Sequence, residues 1–250
     1  MNHLIVESSD GVTLVAGGPV TRRDLMAAVR RAPRVVAADG GADQALAAGV
    51  VPEAVTGDMD SISAGARATL GAARIFAVSE QETTDFDKAL RQIGAPFVLG
   101  LGCLGGRVDH ELAVLNSLVR HAARPCLLIG RQDVVFHAPA GLDLDLRVGD
   151  RVSLFPLRAV RGESMGLRWP IGGIGFAPGG GAIGTSNVVT GGNVVTGGNA
   201  VTGGELAGGR RSSGAVSLRF DGPGMLVILP RARLDAAIRA LVPGWRPPRG

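Results

Sequence analysis

From Val12 onward, short apolar runs and helix-patterned stretches take turns along the chain, and this alternation constrains the fold more than any other feature. VTLVAG (12–17) precedes TRRDLMAAVRR (21–31), and RVVAAD (34–39) precedes ADQALAAG (42–49). Further strands are expected at RIFAV (74–78), PFVLGLG (96–102) and RPCLLIG (124–130), with the helix DHELAVLNSLVRHAA (109–123) between the last two. Strands that alternate with helices pair in parallel and are covered by them, so the first half reads as a three-layer α/β domain with a mostly parallel sheet. Thr21, three residues before Asp24, and Thr84, directly before Asp85, mark helix starts, while Gly49 and Gly94 mark stops.

Near residue 138 the rhythm changes to strands separated by turns: QDVVFHA, LDLDLRV, RVSLFPL, AVSLRF and MLVILP, with no long helix until RLDAAIRAL (233–241). That pattern predicts a C-terminal antiparallel β-sandwich. The expected organisation is an α/β domain over 1–138, a sandwich over 139–232, and a helix with a tail over 233–250. A hexad, NVVTGG, NVVTGG, NAVTGG, runs from Asn187 to Gly204. Three copies are too few for a solenoid, and Gly-Gly-Asn triplets suit turns, so 188–204 reads as an insertion that lengthens a hairpin loop.

Composition removes several classes. With 46% hydrophobic and 19% charged residues in 250, the chain can bury a core and is not disordered. Of its 39 glycines, 16 fall between Gly172 and Gly214, a local excess unlike collagen. The uncharged stretch Trp169 to Gly204 is too rich in glycine, threonine and asparagine to cross a bilayer, because its backbone would be exposed in lipid. The N-terminus lacks a basic start and an apolar run, and two cysteines, Cys103 and Cys126, are too few for a disulfide scaffold. A cytoplasmic protein with buried thiols is expected. Net charge is +4, but Lys88 is the sole lysine and no basic run marks a nucleic-acid partner.

Acids at the expected carboxyl ends of strands are the strongest chemical signal: Asp39 in AADGGAD, and Asp58 with Asp60 in TGDMDS. Open α/β sheets bind ligands at that edge. Two carboxylates at i and i+2 in a glycine-flanked turn can face one hard cation, although ordinary polar turns use the same residues. Asp85 opens a helix, where a carboxylate is favourable on electrostatic grounds alone. GLGCLGGRVDH (100–110) leaves a strand through a glycine-rich turn and enters a helix, offering bare amides to an anion with Arg107 alongside. It is neither a Walker A sequence nor a clear dinucleotide fingerprint. The histidines have no triad or zinc-peptidase spacing.

ADGGAD, GDMDS, TTDFDKAL and GGRVDHELAVLNSL, in this order, followed by GLRWPI (166–171) and TSN (185–187), resemble the thiamine pyrophosphokinases. The resemblance implies an N-terminal catalytic domain, a C-terminal sandwich, and a homodimer with thiamine bound where the subunits meet. It also implies transfer of the β,γ-pyrophosphoryl group of ATP to the hydroxyethyl oxygen of thiamine, with Mg²⁺, giving AMP and thiamine diphosphate. By the same carry-over, Asp58, Asp60 and Asp85 are the catalytic, Mg²⁺-holding acids. Asp39, Ser61, Gly105, Gly106, Arg107 and Asp109 line the nucleotide, and Trp169, Ser186 and Asn187 meet thiamine. Gln81-Glu82 stands where many relatives have a Lys-Asp pair, and the hexads begin at Asn187 itself. Three competing readings are a pterin-type pyrophosphokinase, a non-catalytic sensor of thiamine diphosphate or nucleotide, and a Mg²⁺-dependent phosphatase or sugar transferase using the DxD turn.

Overall fold

The computed structural model describes residues 4–191 and 213–248. The chain divides into two compact units, one running to Gln132 and the other spanning Asp133–Trp245.

The first unit contains β1 (Val6–Glu7), β2 (Val12–Val15), α1 (Arg22–Val29), β3 (Arg34–Ala38), α2 (Gly41–Ala47) and β4 (Ala54–Gly57). It continues with α3 (Ala64–Leu70), β5 (Ile75–Ala77), α4 (Asp85–Gln92), β6 (Ile93–Gly94), β7 (Val98–Leu101), α5 (Val108–Arg120) and β8 (Cys126–Ile129). Six strands lie in the order β8-β7-β2-β3-β4-β5, and every pairing among them is parallel. The short β1 and β6 pair separately. Strands β2, β4, β7 and β8 are buried along their whole length, as strands covered on both faces must be, which is why their sequences show apolar runs and no alternation. The helix starts follow the local chemistry: the hydroxyls of Thr21, Ser63 and Thr84 accept hydrogen bonds from the amides of Asp24, Ala66 and Asp87.

A small apolar cluster supports the edge of the sheet that carries the acids. Ala37, Ala42, Val55, Met59, Ile62, Ala66 and Leu70 pack together and are buried. Met59 and Ile62 are thus drawn inward, while Asp60 and Ser61 between them stay exposed. Hydrophobic burial of Met59 and Ile62 therefore turns Asp60 and Ser61 between them outward.

The turn from β3 into α2 allows no side chain at its entry. A Cβ on Gly41 would lie 2.0 Å from the Val15 carbonyl oxygen of the neighbouring strand.

The second unit is antiparallel. Its strands are β9 (Asp133–His137), β10 (Gly141–Arg147), β11 (Arg151–Pro156), β12 (Val160–Met165), β13 (Gly175–Phe176), β14 (Gly184–Val188), β15 (Ser213–Phe220) and β16 (Met225–Pro230). One group is ordered β14-β11-β16-β9 and the other β10-β15-β12-β13. In β10 the leucines Leu142, Leu144 and Leu146 are buried while the residues between them face out, the alternation expected of a half-covered sheet. Helix α6 (Leu234–Leu241) packs beside β10. The five strands expected from sequence are β9, β10, β11, β15 and β16; β12, β13 and β14 lie in polar and glycine-rich sequence that carries little periodicity. This mixed architecture, a parallel α/β layer system followed by antiparallel strands, is the expected fold class. Among the described residues no helix is long and apolar enough to cross a membrane.

The first hexad begins inside the fold. Asn187 and Val188 belong to β14, Val189 bridges Leu167 and is buried, and the Thr190 amide donates to the Gly166 carbonyl. The remaining copies, and so most of the expected 188–204 hairpin insertion, lie outside the described residues.

Gly41→Ala should lower the stability of the folded protein by about 1–3 kcal/mol, the usual cost of overpacking, measured by denaturant unfolding; an unchanged midpoint would show that β2 and α2 can separate freely.

Candidate active site

Adjacent strands bring the acids together. Asp39 directly follows β3, Asp58 directly follows β4, and Asp85 is the first residue of α4, which packs against both strands. Carboxylate oxygens of Asp39, Asp58 and Asp60 lie within 4.8 Å of one another. Asp85 joins them through its Oδ1, which accepts a hydrogen bond from the Asp58 amide at 3.2 Å. Gly57 makes this approach possible: its φ is 147°, and a Cβ there would stand 2.9 Å from Asp85 Oδ1 and 3.0 Å from the Asp39 Cβ.

The four acids have different surroundings. Asp39 is buried, and its two oxygens accept from the amides of Ser61 at 3.0 Å and Ile62 at 2.9 Å. Burial pushes its pKa up to about 6, with Asp60 and Asp85 adding to the rise and the two amides opposing it. Asp39 therefore fastens the GDMDS turn. Asp60 is exposed and is held below the usual carboxylate range, chiefly by the Ser61 hydroxyl that donates to it at 2.6 Å.

Two further residues complete the cluster. The Lys88 ammonium is 3.0 Å from Asp85 Oδ1 and 3.9 Å from Asp58 Oδ2, on a residue only 2% exposed. A buried cation is tolerated when carboxylates surround it, and two do so here. Its signal in sequence was its place in TTDFDKAL, one turn after Asp85, and its being the only lysine. Gln81 donates from Nε2 to Asp58 Oδ2 at 3.3 Å, so the departure from a Lys-Asp pair leaves a neutral donor touching the cluster. One lysine against four acids leaves an excess of negative charge, and the donors are all hard oxygens. That set fits a hard divalent cation.

The glycine-rich turn follows β7 and enters α5 at the same edge of the sheet, with β2 between β7 and β3. Its two amides are already engaged: Gly105 N and Gly106 N donate to Glu111 Oε1 at 2.7 and 2.9 Å. Arg107 and Asp109 form an exposed ion pair at 2.6 Å. The turn thus holds a carboxylate where an anion was expected, and that carboxylate comes from its own helix.

In the second unit, Asn187 is buried and spends its side chain on the backbone of Trp169. Its Oδ1 accepts from the Trp169 amide at 3.1 Å, and its Nδ2 donates to the Trp169 carbonyl at 2.6 Å. Trp169 itself is 55% exposed, with the Arg168 guanidinium 5.6 Å from its ring centroid. Ser186 sits at φ 61° and donates its amide to the Ser153 hydroxyl.

The raised pKa of Asp39 carries a sign. Its folded value lies above the ordinary carboxylate value, so its contribution to stability is complete below about pH 4 and is lost as pH rises through about 6. Thermal melts of the metal-free protein should show wild type losing stability relative to Asp39→Asn between pH 4 and pH 7. A constant difference across that window would mean that the carboxyl titrates normally.

Residues 25–128 match the family model described as thiamin pyrophosphokinase, catalytic domain. Thiamine pyrophosphokinase 1 of Oryza sativa subsp. japonica is 30% identical over 157 residues, covering 55% of this chain and 59% of the rice protein. Thiamine pyrophosphokinase 1 of Arabidopsis thaliana is 28% identical over a similar share, 55% and 58%. The match thus spans less than two thirds of these relatives' own length. Among solved structures, thiamin pyrophosphokinase from Candida albicans superposes with a TM-score of 0.67 at 16% identity, covering 92% of this chain and 97% of that one. The enzyme from Geobacillus thermodenitrificans gives 0.63 at 21% identity, covering 88% and 96%. At those identities the structures speak for the fold. The chain is thus similar in sequence to the thiamin pyrophosphokinase catalytic domain across the segment that carries every acid of the cluster, and similar in fold to solved thiamin pyrophosphokinases along most of its length.

Proposed function

We propose that this protein transfers the pyrophosphoryl group of ATP to thiamine, releasing AMP and thiamine diphosphate. The observation that carries the reading is the convergence of Asp39, Asp58, Asp60 and Asp85 beside Lys88 within the segment matched to the catalytic-domain family. The hydroxyethyl oxygen of thiamine forms a bond to the β-phosphorus of ATP, the bond from that phosphorus to the α,β-bridging oxygen breaks, and the electron pair leaves with AMP. The hydroxyl proton is released to solvent water as that bond forms. Such transfers depend on positioning and charge stabilisation more than on a strong base.

In this reading Asp58, Asp60 and Asp85 would hold Mg²⁺, which would supply charge neutralisation for the triphosphate oxygens. Asp39 keeps the turn closed beneath them. Asp85, adjacent to Lys88, orients the acceptor hydroxyl. Ser61, Gly105, Gly106, Arg107 and Asp109 meet the nucleotide, and for this Arg107 and the two glycine amides exchange their internal carboxylates for phosphate oxygens. Trp169 offers a face to the thiamine heterocycle, held by Asn187 from behind, with Ser186 nearby in sequence. The reading includes a homodimer and a cytoplasmic location, the latter supported by two cysteines that are both free and buried.

Purified protein incubated with ATP, Mg²⁺ and thiamine should yield AMP and thiamine diphosphate in equal amounts by chromatography. ADP with thiamine monophosphate would overturn the mechanism, and thiamine binding without turnover would favour the sensor. Asp58→Asn should lower turnover by on the order of 100-fold or more, the scale of losing one preorganised electrostatic group, with an unchanged melting temperature. Glu111→Ala should lower the KM for ATP by about threefold, as expected for removing a half-buried competing carboxylate; an unaltered KM would place the phosphates away from Gly105 and Gly106.

A further inference from the structure

Asp87 lies two residues beyond Asp85 and is turned away from it, since successive residues on a helix are about 100° apart. Its residue is 1% exposed, and its carboxylate is ringed by basic side chains from two elements. Oδ1 is 3.0 Å from His121 Nε2 and 3.4 Å from Arg120 Nη1, both at the carboxyl end of α5, and Oδ2 is 3.2 Å from Arg91 Nε. Arg91 reaches on to the loop that precedes α4: its Nη2 donates to Glu80 Oε2 at 2.6 Å and to Thr83 Oγ1 at 3.0 Å. Thr83 in turn donates to Glu80 Oε1 at 2.7 Å. Arg124 donates to the carbonyls of Leu90 and Ile93 and so ties the far end of α4 to the segment after α5.

The two ends of this network stop next to the acid cluster. Glu80 and Thr83 flank Gln81, whose amide donates to Asp58, and Asp87 is one residue from Lys88 and two from Asp85. A helix of eight residues has little stiffness of its own placement, and α4 is gripped on the face away from the cluster.

We propose that Asp87 is a positioning residue for the acid cluster: through Arg91 it fixes the 80–83 loop, through His121 it fixes α4 against α5, and so it sets where Gln81 and Asp85 stand relative to Asp58. The inference rests on the reading of Asp58 and Asp85 as Mg²⁺-holding acids. A buried carboxylate bound by two guanidinium groups and an imidazole would hold any helix pair together. A role in placement differs from that because displacement by about 1 Å is enough to cost a site much of its activity, and groups behind metal ligands typically change metal affinity by about 10–100-fold.

The test compares wild type, Asp87→Asn, His121→Leu and His121→Gln, with Asp58→Asn in parallel. Three quantities are read: the Mg²⁺ concentration giving half-maximal thiamine diphosphate formation, the KM for thiamine, and Mg²⁺ binding by calorimetry in the presence of a non-hydrolysable ATP analogue. Asp87→Asn and His121→Leu should raise the Mg²⁺ midpoint and the calorimetric Kd about tenfold, with the KM for thiamine unmoved. His121→Gln, which keeps a donor toward Asp87, should restore both. If Asp87→Asn does not fold, the two His121 variants decide the matter alone. Lower melting temperatures with unshifted Mg²⁺ midpoints would overturn the proposal and leave Asp87 as a stabilising residue. A wild type that makes no thiamine diphosphate, or an Asp58→Asn variant that matches it, would overturn the underlying reading and the inference with it.

Discussion

Mutual repulsion among carboxylates is the constraint around which the first unit is arranged. Four acids at the end of adjacent parallel strands would push the turns apart, and several interactions act against that. Lys88 supplies a buried positive charge between Asp85 and Asp58, Gln81 adds a neutral donor, and backbone amides of Ser61 and Ile62 bind Asp39. Asp39 meets the remaining strain by favouring its proton up to about pH 6. Beneath them, Met59 and Ile62 anchor the turn in an apolar cluster, so the hydrophobic effect holds in place what electrostatics would disperse.

Much of this was legible from the chain alone. Asp39 and Asp58 could be placed at strand ends because the apolar runs before them end abruptly in Asp and Gly, and Thr84 announced the helix that Asp85 opens. What sequence could not supply was the partner of each group. Nothing in local spacing says that Glu111 turns back onto the amides of Gly105 and Gly106, or that Asp109 pairs with Arg107, because those contacts depend on side-chain geometry in a turn. Lys88 was visible as an isolated lysine, but its burial follows only from how α4 lies on β3 and β4. In the second unit the alternating leucines of β10 were easy to read, whereas β12 to β14 are joined by glycine-rich sequence whose strands are set by pairing partners rather than by pattern.

The second unit repeats on a smaller scale the division of labour seen in the first. Asn187 and Trp169 were both expected to face a ligand, yet Asn187 is buried and holds the Trp169 backbone at both its amide and its carbonyl. The exposed ring and the concealed amide are thus linked, in that a polar side chain fixes the backbone that carries the aromatic one. Arg168 beside the ring supplies a cation to the same face-seeking chemistry that a charged heterocycle would use.

The way the first hexad is woven into the sheet bears on how this gene can change. Asn187 through Thr190 are paired, buried or hydrogen-bonded, and they carry the letters NVVT. Loss of one whole hexad brings an identical NVVTGG into the same place directly after Ser186, so the paired segment is restored letter for letter. Loss of the first two together brings NAVTGG there and exchanges Val188 for alanine, whereas loss of any other two leaves NVVTGG in place. Copy-number drift in this tract is therefore buffered by its own redundancy: loss of one copy is silent at the anchored end, and only loss of both identical copies writes a substitution into β14.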